Sequence, residues 1–119
     1  MYEYPGRVHR IIDGDTGVFW IDLGFGVWVK QTCRLRGINA PEIRGSRLTP
    51  QQRAAGYASR DHLELLCNDC GPLTLHTIKD RTGKFGRYLV MIWAKDEKTG
   101  DPMLLNTRMV TDGHAVKAS

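Results

Sequence analysis

The order of hydrophobic periodicities restricts this chain to a small set of folds. Three β-rich runs separated by glycine-bearing turns come first, at Arg7 to Ile12, Val18 to Leu23 and Val27 to Arg36. A segment of helical periodicity follows, and two more β-rich runs come after it, at Leu73 to Ile78 and Gly86 to Ala94. Five strands with a helix between the third and the fourth is the order of an OB-fold barrel. We therefore predict one mostly β, α+β domain over residues 1–119.

The helical segment has recognisable start and stop signals. Thr49 is a good N-cap, Pro50 suits the first turn, and Gly71 with Pro72 is typical of a helix end. The apolar period predicts a buried stripe formed by Ala54, Ala58, Asp61 or His62, Leu65 and Leu66. A second, short helix is predicted within the C-terminal run that ends at Gly113.

Alternation in the third β-rich run predicts a strand with one buried side. Val27, Val29, Cys33 and Leu35 share one parity, which we expect to face the core. Lys30, Thr32, Arg34 and Arg36 share the other parity, which we expect to face outward.

Composition sets limits on the partner and the location. The chain has 119 residues, of which 41% are hydrophobic, enough to bury a single core. Its net charge of +4 and pI of about 9.2 permit an anionic partner without requiring one. No apolar run approaches the roughly 20 residues of a membrane span, and the N-terminus does not resemble a signal peptide. We expect a cytoplasmic monomer with no membrane partner.

The sequence Asp-Gly-Asp-Thr between the first two runs has two compatible interpretations. Asp13-Gly14 is a strong hairpin signal, because a two-residue turn of this kind matches the twist of the flanking strands. Asp15, expected just past the turn, is in a position to offer a carboxylate to a hard cation. Both interpretations can hold together.

Three charged residues near strand ends suggest phosphate chemistry. Arg34 is near the end of the third run, Glu42 follows the rigid Pro41, and Arg87 begins the last run. A guanidinium makes two parallel hydrogen bonds to phosphate, and a carboxylate can accept a proton from an attacking water. Taken singly, each is more simply a solvated surface residue, so the prediction depends on their meeting in space.

Three motifs, in order, resemble the staphylococcal nuclease (thermonuclease) family. They read IIDGDT, RLRGINAPE and GKFGRYL, with the helix between the last two, and the resemblance covers about residues 7 to 115. The chain also looks like the compact nuclease-like domains of bacteriophage genomes. The resemblance implies an OB-fold enzyme that cleaves DNA and/or RNA with Ca²⁺, leaving 3′-phosphate and 5′-hydroxyl ends.

The resemblance also implies a role for each motif residue. Asp15, Asn39 and the main-chain carbonyl of Ala40 would ligate calcium, with Asp13 close behind them. Glu42 would activate the attacking water. The residues implied to bind the phosphate or the rest of the substrate are Arg34, Arg87, Lys84, Phe85 and Arg36.

Two departures from the family pattern bear on this assignment. Asn39 replaces a ligating aspartate, which removes one negative charge from the metal site. Phe85 replaces a tyrosine, which removes a hydroxyl that could contact phosphate. The alternative function is therefore a weak or inactive OB-fold module that binds nucleic acid without cleaving it.

Other residues leave their roles open at this stage. Cys67 and Cys70 form a single C-x-x-C, for which free thiols are favoured over a disulfide or a zinc site, and Cys33 has the parity of a core residue. The tryptophans, Trp20, Trp28 and Trp93, serve either packing, which we favour for at least two of them, or base stacking. A basic set along the helix forms either a solvated face or a rim that attracts a polyanion: Arg44, Arg47, Arg53 and Arg60.

Overall fold

The first three strands form an antiparallel meander. The computed structural model of the protein describes residues 2–79 and 88–118. In it β1 spans Tyr2–Asp13, β2 spans Thr16–Asp22 and β3 spans Trp28–Leu35, with β2 in the middle. β1 begins before the predicted start because its first residues pair with a later strand instead of with β2.

Two further strands close this meander into a barrel. β5 (Leu73–Lys79) pairs with β1 and with β6 (Tyr88–Lys95), both antiparallel. β6 then pairs in parallel with β3 over Cys33 to Leu35, which joins the two edges of the sheet. The result is a mostly β, OB-like α+β fold with a closed five-stranded barrel and two helices.

Shorter elements complete the chain. β4 (Ile38–Asn39) pairs with β8 (Val116–Lys117), and β7 (Pro102–Leu104) extends the sheet beside β6. The second helix, α2, spans Leu105–Thr111, and Gly113 follows it with a φ of 81°. None of the helices in the described ranges is long and apolar enough to cross a membrane.

The long helix begins and ends where its sequence signals predict. α1 spans Pro50–Asp69 and follows β4 in the chain. The Thr49 hydroxyl accepts a hydrogen bond from the Gln52 N–H, and the Gln52 side chain accepts one from the Thr49 N–H. At the other end Gly71 has a φ of 74°, a conformation that side-chain-bearing residues avoid.

The buried face of α1 differs from the prediction. Leu65, expected in the stripe, is 53% exposed, and Ala54 and Ala58 also face solvent. The residues that are buried are Gly56, Ser59, Leu63, Leu66 and Cys67. The prediction is confirmed at Leu66 and was wrong at Ala54, Ala58 and Leu65, because it ranked residues by apolar character. The first half of this helix packs against backbone, which selects small residues over large apolar ones.

The alternation in β3 holds only in the half of the strand that lies in the barrel wall. Cys33 and Leu35 are fully buried, as predicted. Val27 and Val29 are 50% and 38% exposed, so their predicted burial was wrong. They lie where the β2–β3 hairpin extends beyond the core, next to a turn in which Gly24, Phe25 and Gly26 all have positive φ.

One buried amide connects α2 to the barrel seam. Asn106 is 3% exposed, and its Oδ1 accepts the N–H of Ile92 at 3.0 Å. Its Nδ2 donates to the carbonyls of Val90 at 3.0 Å and Arg36 at 2.9 Å. Asn106 therefore fixes β6 relative to the backbone that leaves β3.

We predict that Gly56→Ala destabilises the protein although alanine is the better helix former. A Cβ at Gly56 would lie 2.4 Å from the carbonyl oxygen of Glu42, so the backbone of that loop has to move. We expect a loss of about 1–3 kcal/mol in the free energy of unfolding, measured in urea. The control Ala58→Gly, on the exposed face, should lose about 1 kcal/mol through helix propensity alone. A Gly56→Ala variant more stable than wild type would contradict the close contact.

Candidate phosphate and metal site

The β1–β2 turn places Asp15 against the rest of the fold. Asp13 pairs with Thr16, so the turn residues are Gly14 and Asp15. The sequence had suggested that Asp15 lies just past the turn, whereas the structure places it within the turn. A Cβ on Gly14 would lie 1.8 Å from the Ser59 Oγ, so only glycine allows the turn to approach α1 this closely.

The carboxylate of Asp15 is buried and surrounded by donors. It is 7% exposed, and its Oδ2 lies 2.9 Å from Arg34 Nη1 and 2.9 Å from the N–H of Ala40. Its Oδ1 accepts the hydroxyl of Thr16 at 3.0 Å. Burial alone would raise the pKa of Asp15, but hydrogen bonds from Asp13, Ala40 and Arg34 outweigh it and lower that pKa. Asp15 is therefore ionised at neutral pH.

Arg34 connects the predicted site residues to one another. Its Nη2 donates to the carbonyl of Ile38 at 3.2 Å and to the side-chain oxygen of Asn39. Its side chain is 25% exposed, so part of the guanidinium still faces solvent. The structure thus brings Asp15, Arg34, Asn39 and the backbone of Ala40 to one point, although Asp15 precedes the other three by 19 or more residues in the chain.

Asp13 lies directly behind Asp15, as expected. Its Oδ1 accepts the N–H of Asp15 at 3.0 Å. Burial, the hydrogen bond between the two carboxyl groups and the charge of Asp15 raise the pKa of Asp13 to about 6. The pair therefore holds one charge tightly, on Asp15, and ionises at Asp13 only as the pH approaches neutrality.

Glu42 lies on the loop that joins β4 to α1. Its side chain is exposed, and it makes no hydrogen bond or ion pair with any residue of 2–79 or 88–118. Arg53 of α1 holds this loop by donating to the carbonyls of Ile43 and Gly45, each at 3.1 Å. Arg53 thus has a structural partner that the sequence did not reveal, since it was expected on a solvated face or a basic rim.

The remaining predicted site residues divide into two groups. Arg36 is exposed beside the site, and its carbonyl accepts the Asn106 amide. Lys84, Phe85 and Arg87 lie outside the described residues, so their predicted contacts with substrate stay predictions.

Ser59 was not singled out from the sequence, although its hydroxyl donates to the His114 carbonyl at 2.7 Å and its Oγ faces the turn at Gly14.

The donor atoms at this point suit a hard cation in kind. Asp15 supplies an ionised carboxylate and Asn39 an amide oxygen, and Ca²⁺ prefers oxygen ligands of this kind. Ala40 directs its N–H at Asp15, so the predicted ligation by its carbonyl stays a prediction. Within the described ranges, no three or more His, Cys, Asp or Glu residues cluster as a metal site. The set therefore carries little negative charge, and Arg34 already contacts the oxygens of both Asp15 and Asn39.

We predict that Asp13→Asn removes a pH dependence of stability. The folded pKa of Asp13 is about 6, above its ordinary value of 3.8, so the folded state binds this proton more tightly than the unfolded state. Protonated Asp13 therefore makes its full contribution to the free energy of unfolding below pH 4, and this contribution is lost as the pH rises to about 6. Above pH 6 the variant should therefore be more stable than wild type by on the order of 1 kcal/mol, reduced for partial exposure.

The measurement is urea unfolding of both proteins at pH 4 to 8 in EDTA. The carboxamide keeps an oxygen for the Asp15 N–H, so the turn itself should be unchanged. Asp22→Asn, a change of the same charge at the half-buried end of β2, is the control. Parallel curves for wild type and Asp13→Asn would show that Asp13 titrates normally.

Comparison with other proteins identifies neither a family nor a function for this chain. No protein-family model matches the chain, and no characterised protein matches it significantly. The functional interpretation therefore depends on the residues gathered at Asp15 and Arg34, together with the resemblance of the three motifs.

Proposed function

We propose that the protein is a Ca²⁺-dependent nuclease that hydrolyses phosphodiester bonds in DNA and/or RNA. The observation that carries the proposal is the convergence of Asp15, Arg34, Asn39 and Ala40 beside the loop of Glu42. Two of the three motifs that resemble the thermonuclease family supply these residues. The proposal includes an OB-fold with α1 between its third and fourth barrel strands, and a monomer acting in the cytoplasm.

The residues divide the reaction between them. Glu42, exposed and without a competing cation among the described residues, accepts a proton from the water that attacks phosphorus. The bond to the 5′ oxygen breaks and that oxygen takes a proton from solvent water, which leaves a 3′-phosphate and a 5′-hydroxyl. Calcium held by Asp15, Asn39 and the Ala40 carbonyl would supply positive charge beside the phosphate. Arg34 and Arg87 donate to the phosphate oxygens as charge develops there.

Arg34 has to exchange partners in order to bind substrate. Its Nη2 donates to neutral oxygens of Ile38 and Asn39, while Nη1 is paired with the charged Asp15. A phosphate oxygen is a stronger acceptor than the neutral oxygens of Ile38 and Asn39, so it displaces them from Nη2. It does not displace the charged carboxylate of Asp15 as easily from Nη1. The ion pair with Asp15 then keeps the guanidinium in place during the exchange.

The contacts of Arg34 within the chain also favour the alternative function, an OB-fold module that binds nucleic acid without cleaving it. An arginine whose donors are already occupied within the chain stabilises β3 and β4 without any substrate. A module that only binds nucleic acid would retain this arrangement and would not need Glu42. Digestion of DNA and RNA with Ca²⁺, compared with the same reaction in EGTA, separates the two functions.

We predict that Glu42→Gln lowers the cleavage rate by about 10²–10⁴-fold while the fold is retained, because the amide cannot accept the proton of water. The control is Glu64→Gln, the same change at an exposed position on α1, which should cleave at the wild-type rate. Calcium-dependent cleavage by Glu42→Gln at the wild-type rate would remove Glu42 from the mechanism.

We predict that Asn39→Asp lowers the calcium concentration needed for half-maximal cleavage. The added charge attracts the ion, and repulsion from Asp15 and solvent screening limit the gain to about 1–2 kcal/mol. Asn68→Asp on α1 adds the same charge at an exposed position and serves as the control. A calcium titration of Asn39→Asp that coincides with wild type would exclude the Asn39 side chain from the metal site.

A further inference from the structure

Two tryptophans lie on the outside of the barrel wall instead of in the core. In the sheet register Trp20 is opposite both Arg7 of β1 and Lys30 of β3. Its neighbours in β2, Phe19 and Ile21, face inward and are buried, so alternation directs Trp20 outward. Trp28 begins β3 with the same parity as Lys30 and is 39% exposed.

Basic side chains lie against both indole rings. The Arg7 guanidinium is 4.7 Å from the ring centre of Trp28, and the Lys30 ammonium is 5.5 Å from that of Trp20. The ring of His9 meets Trp20 edge-on at 5.9 Å. These cation–π contacts hold the two rings on the sheet without core packing. We call the surface formed by Arg7, His9, Trp20, Trp28 and Lys30 the tryptophan face.

The tryptophan face continues into the candidate phosphate site. Trp28, Lys30 and Arg34 have the same parity on β3, so they project from the same side of the sheet. At about 3.4 Å per residue, Arg34 is about 14 Å from Lys30 and about 20 Å from Trp28 along the strand. A chain of nucleotides with one phosphate at Arg34 can therefore extend along β3 to the tryptophans.

The charge on this face also suits a polyanion. Arg7, Arg10, Lys30 and Arg34 all lie on the outer side of the meander. Among the outward positions of β2 and β3, Asp22 is the acidic one, and its carboxylate accepts the N–H of Gly24 at 2.8 Å. Basic side chains interleaved with exposed aromatic rings are what proteins use to bind single-stranded nucleic acid.

We propose that the tryptophan face binds unpaired bases of a single strand whose phosphate lies at Arg34. Bases stack on Trp20 and Trp28, and Arg7 and Lys30 contact the phosphates between them. A duplex is excluded from this mode, because its bases are stacked on one another and cannot reach the indole rings. The position of the phosphate rests on the proposed function, whereas the stacking on tryptophan does not.

Tryptophan fluorescence tests the stacking without any cleavage. A 12-nucleotide single-stranded DNA is titrated into the protein in EDTA, with the duplex of the same sequence for comparison. We expect quenching by the single strand, and affinity about tenfold lower in Trp28→Leu and in Trp20→Leu. The matched control is Trp93→Leu, which removes a tryptophan from β6, outside the tryptophan face, and should bind as wild type does.

Salt dependence tests the two cations separately. Arg7→Gln and Lys30→Gln should each reduce the slope of log affinity against log salt by about 0.7, the value for one phosphate contact to a single strand. Equal binding of duplex and single strand, or unchanged affinity in Trp28→Leu, would overturn the proposal. If Trp20→Leu does not fold, the affinity of Trp28→Leu tests the proposal by itself, because Trp28 is exposed and its loss leaves the core intact.

Cleavage assays with Ca²⁺ separate this proposal from the proposed nuclease function. Trp28→Leu should lose about tenfold in kcat/KM on the 12-mer and less on a dinucleotide, which is too short to reach from Arg34 to Trp28. Equal losses on both substrates would overturn the tryptophan face. Binding to the tryptophans with no cleavage of either substrate would overturn the nuclease function and leave the tryptophan face standing.

Discussion

The parallel pairing of β3 with β6 is the contact on which the rest of the structure depends. It covers only three residue pairs, yet it converts an open sheet into a barrel with a single interior. Such a short ladder gains from the buried amide of Asn106, which satisfies one N–H and two carbonyls around the seam. The seam also fixes where β3 ends, so it sets the position of Arg34 and of the turn into β4.

The sequence predicted those parts of the fold that local chemistry decides. Alternation identified the strands of the meander, and Thr49, Pro50 and Gly71 marked the ends of α1 correctly. Prediction from the sequence failed over most of the buried face of α1. Gly56 and Ser59 are buried there because of contacts with backbone that lies far away in the sequence. It failed again at Val27 and Val29, because parity alone does not show how far a strand extends beyond the core.

The candidate site shows the same division between local and distant causes. Motif residues were recognisable because their chemistry is specific, and the structure brings Asp15, Arg34 and Asn39 together. The residues that hold them there were missed. Ser59 and Arg53 resemble ordinary helix residues in the sequence, and their partners, the His114 carbonyl and the Glu42 loop, become apparent only in three dimensions. Gly14 was assigned to a turn, and nothing in the sequence indicated its close approach to α1.

Arg34 balances the charge of Asp15 without any ligand. A carboxylate as buried as Asp15 needs donors to remain ionised, and Arg34 with the Ala40 N–H supplies them. The requirement of the fold for that ion pair places a guanidinium at the end of β3 with part of its surface in solvent. Stability and the proposed phosphate binding therefore depend on the same arginine. The period of two along β3 separates the remaining tasks, because Cys33 and Leu35 fill the core while Arg34, Lys30 and Trp28 face outward. One strand can thus close the barrel with one set of side chains and present a row of cationic and aromatic side chains to solvent with the other.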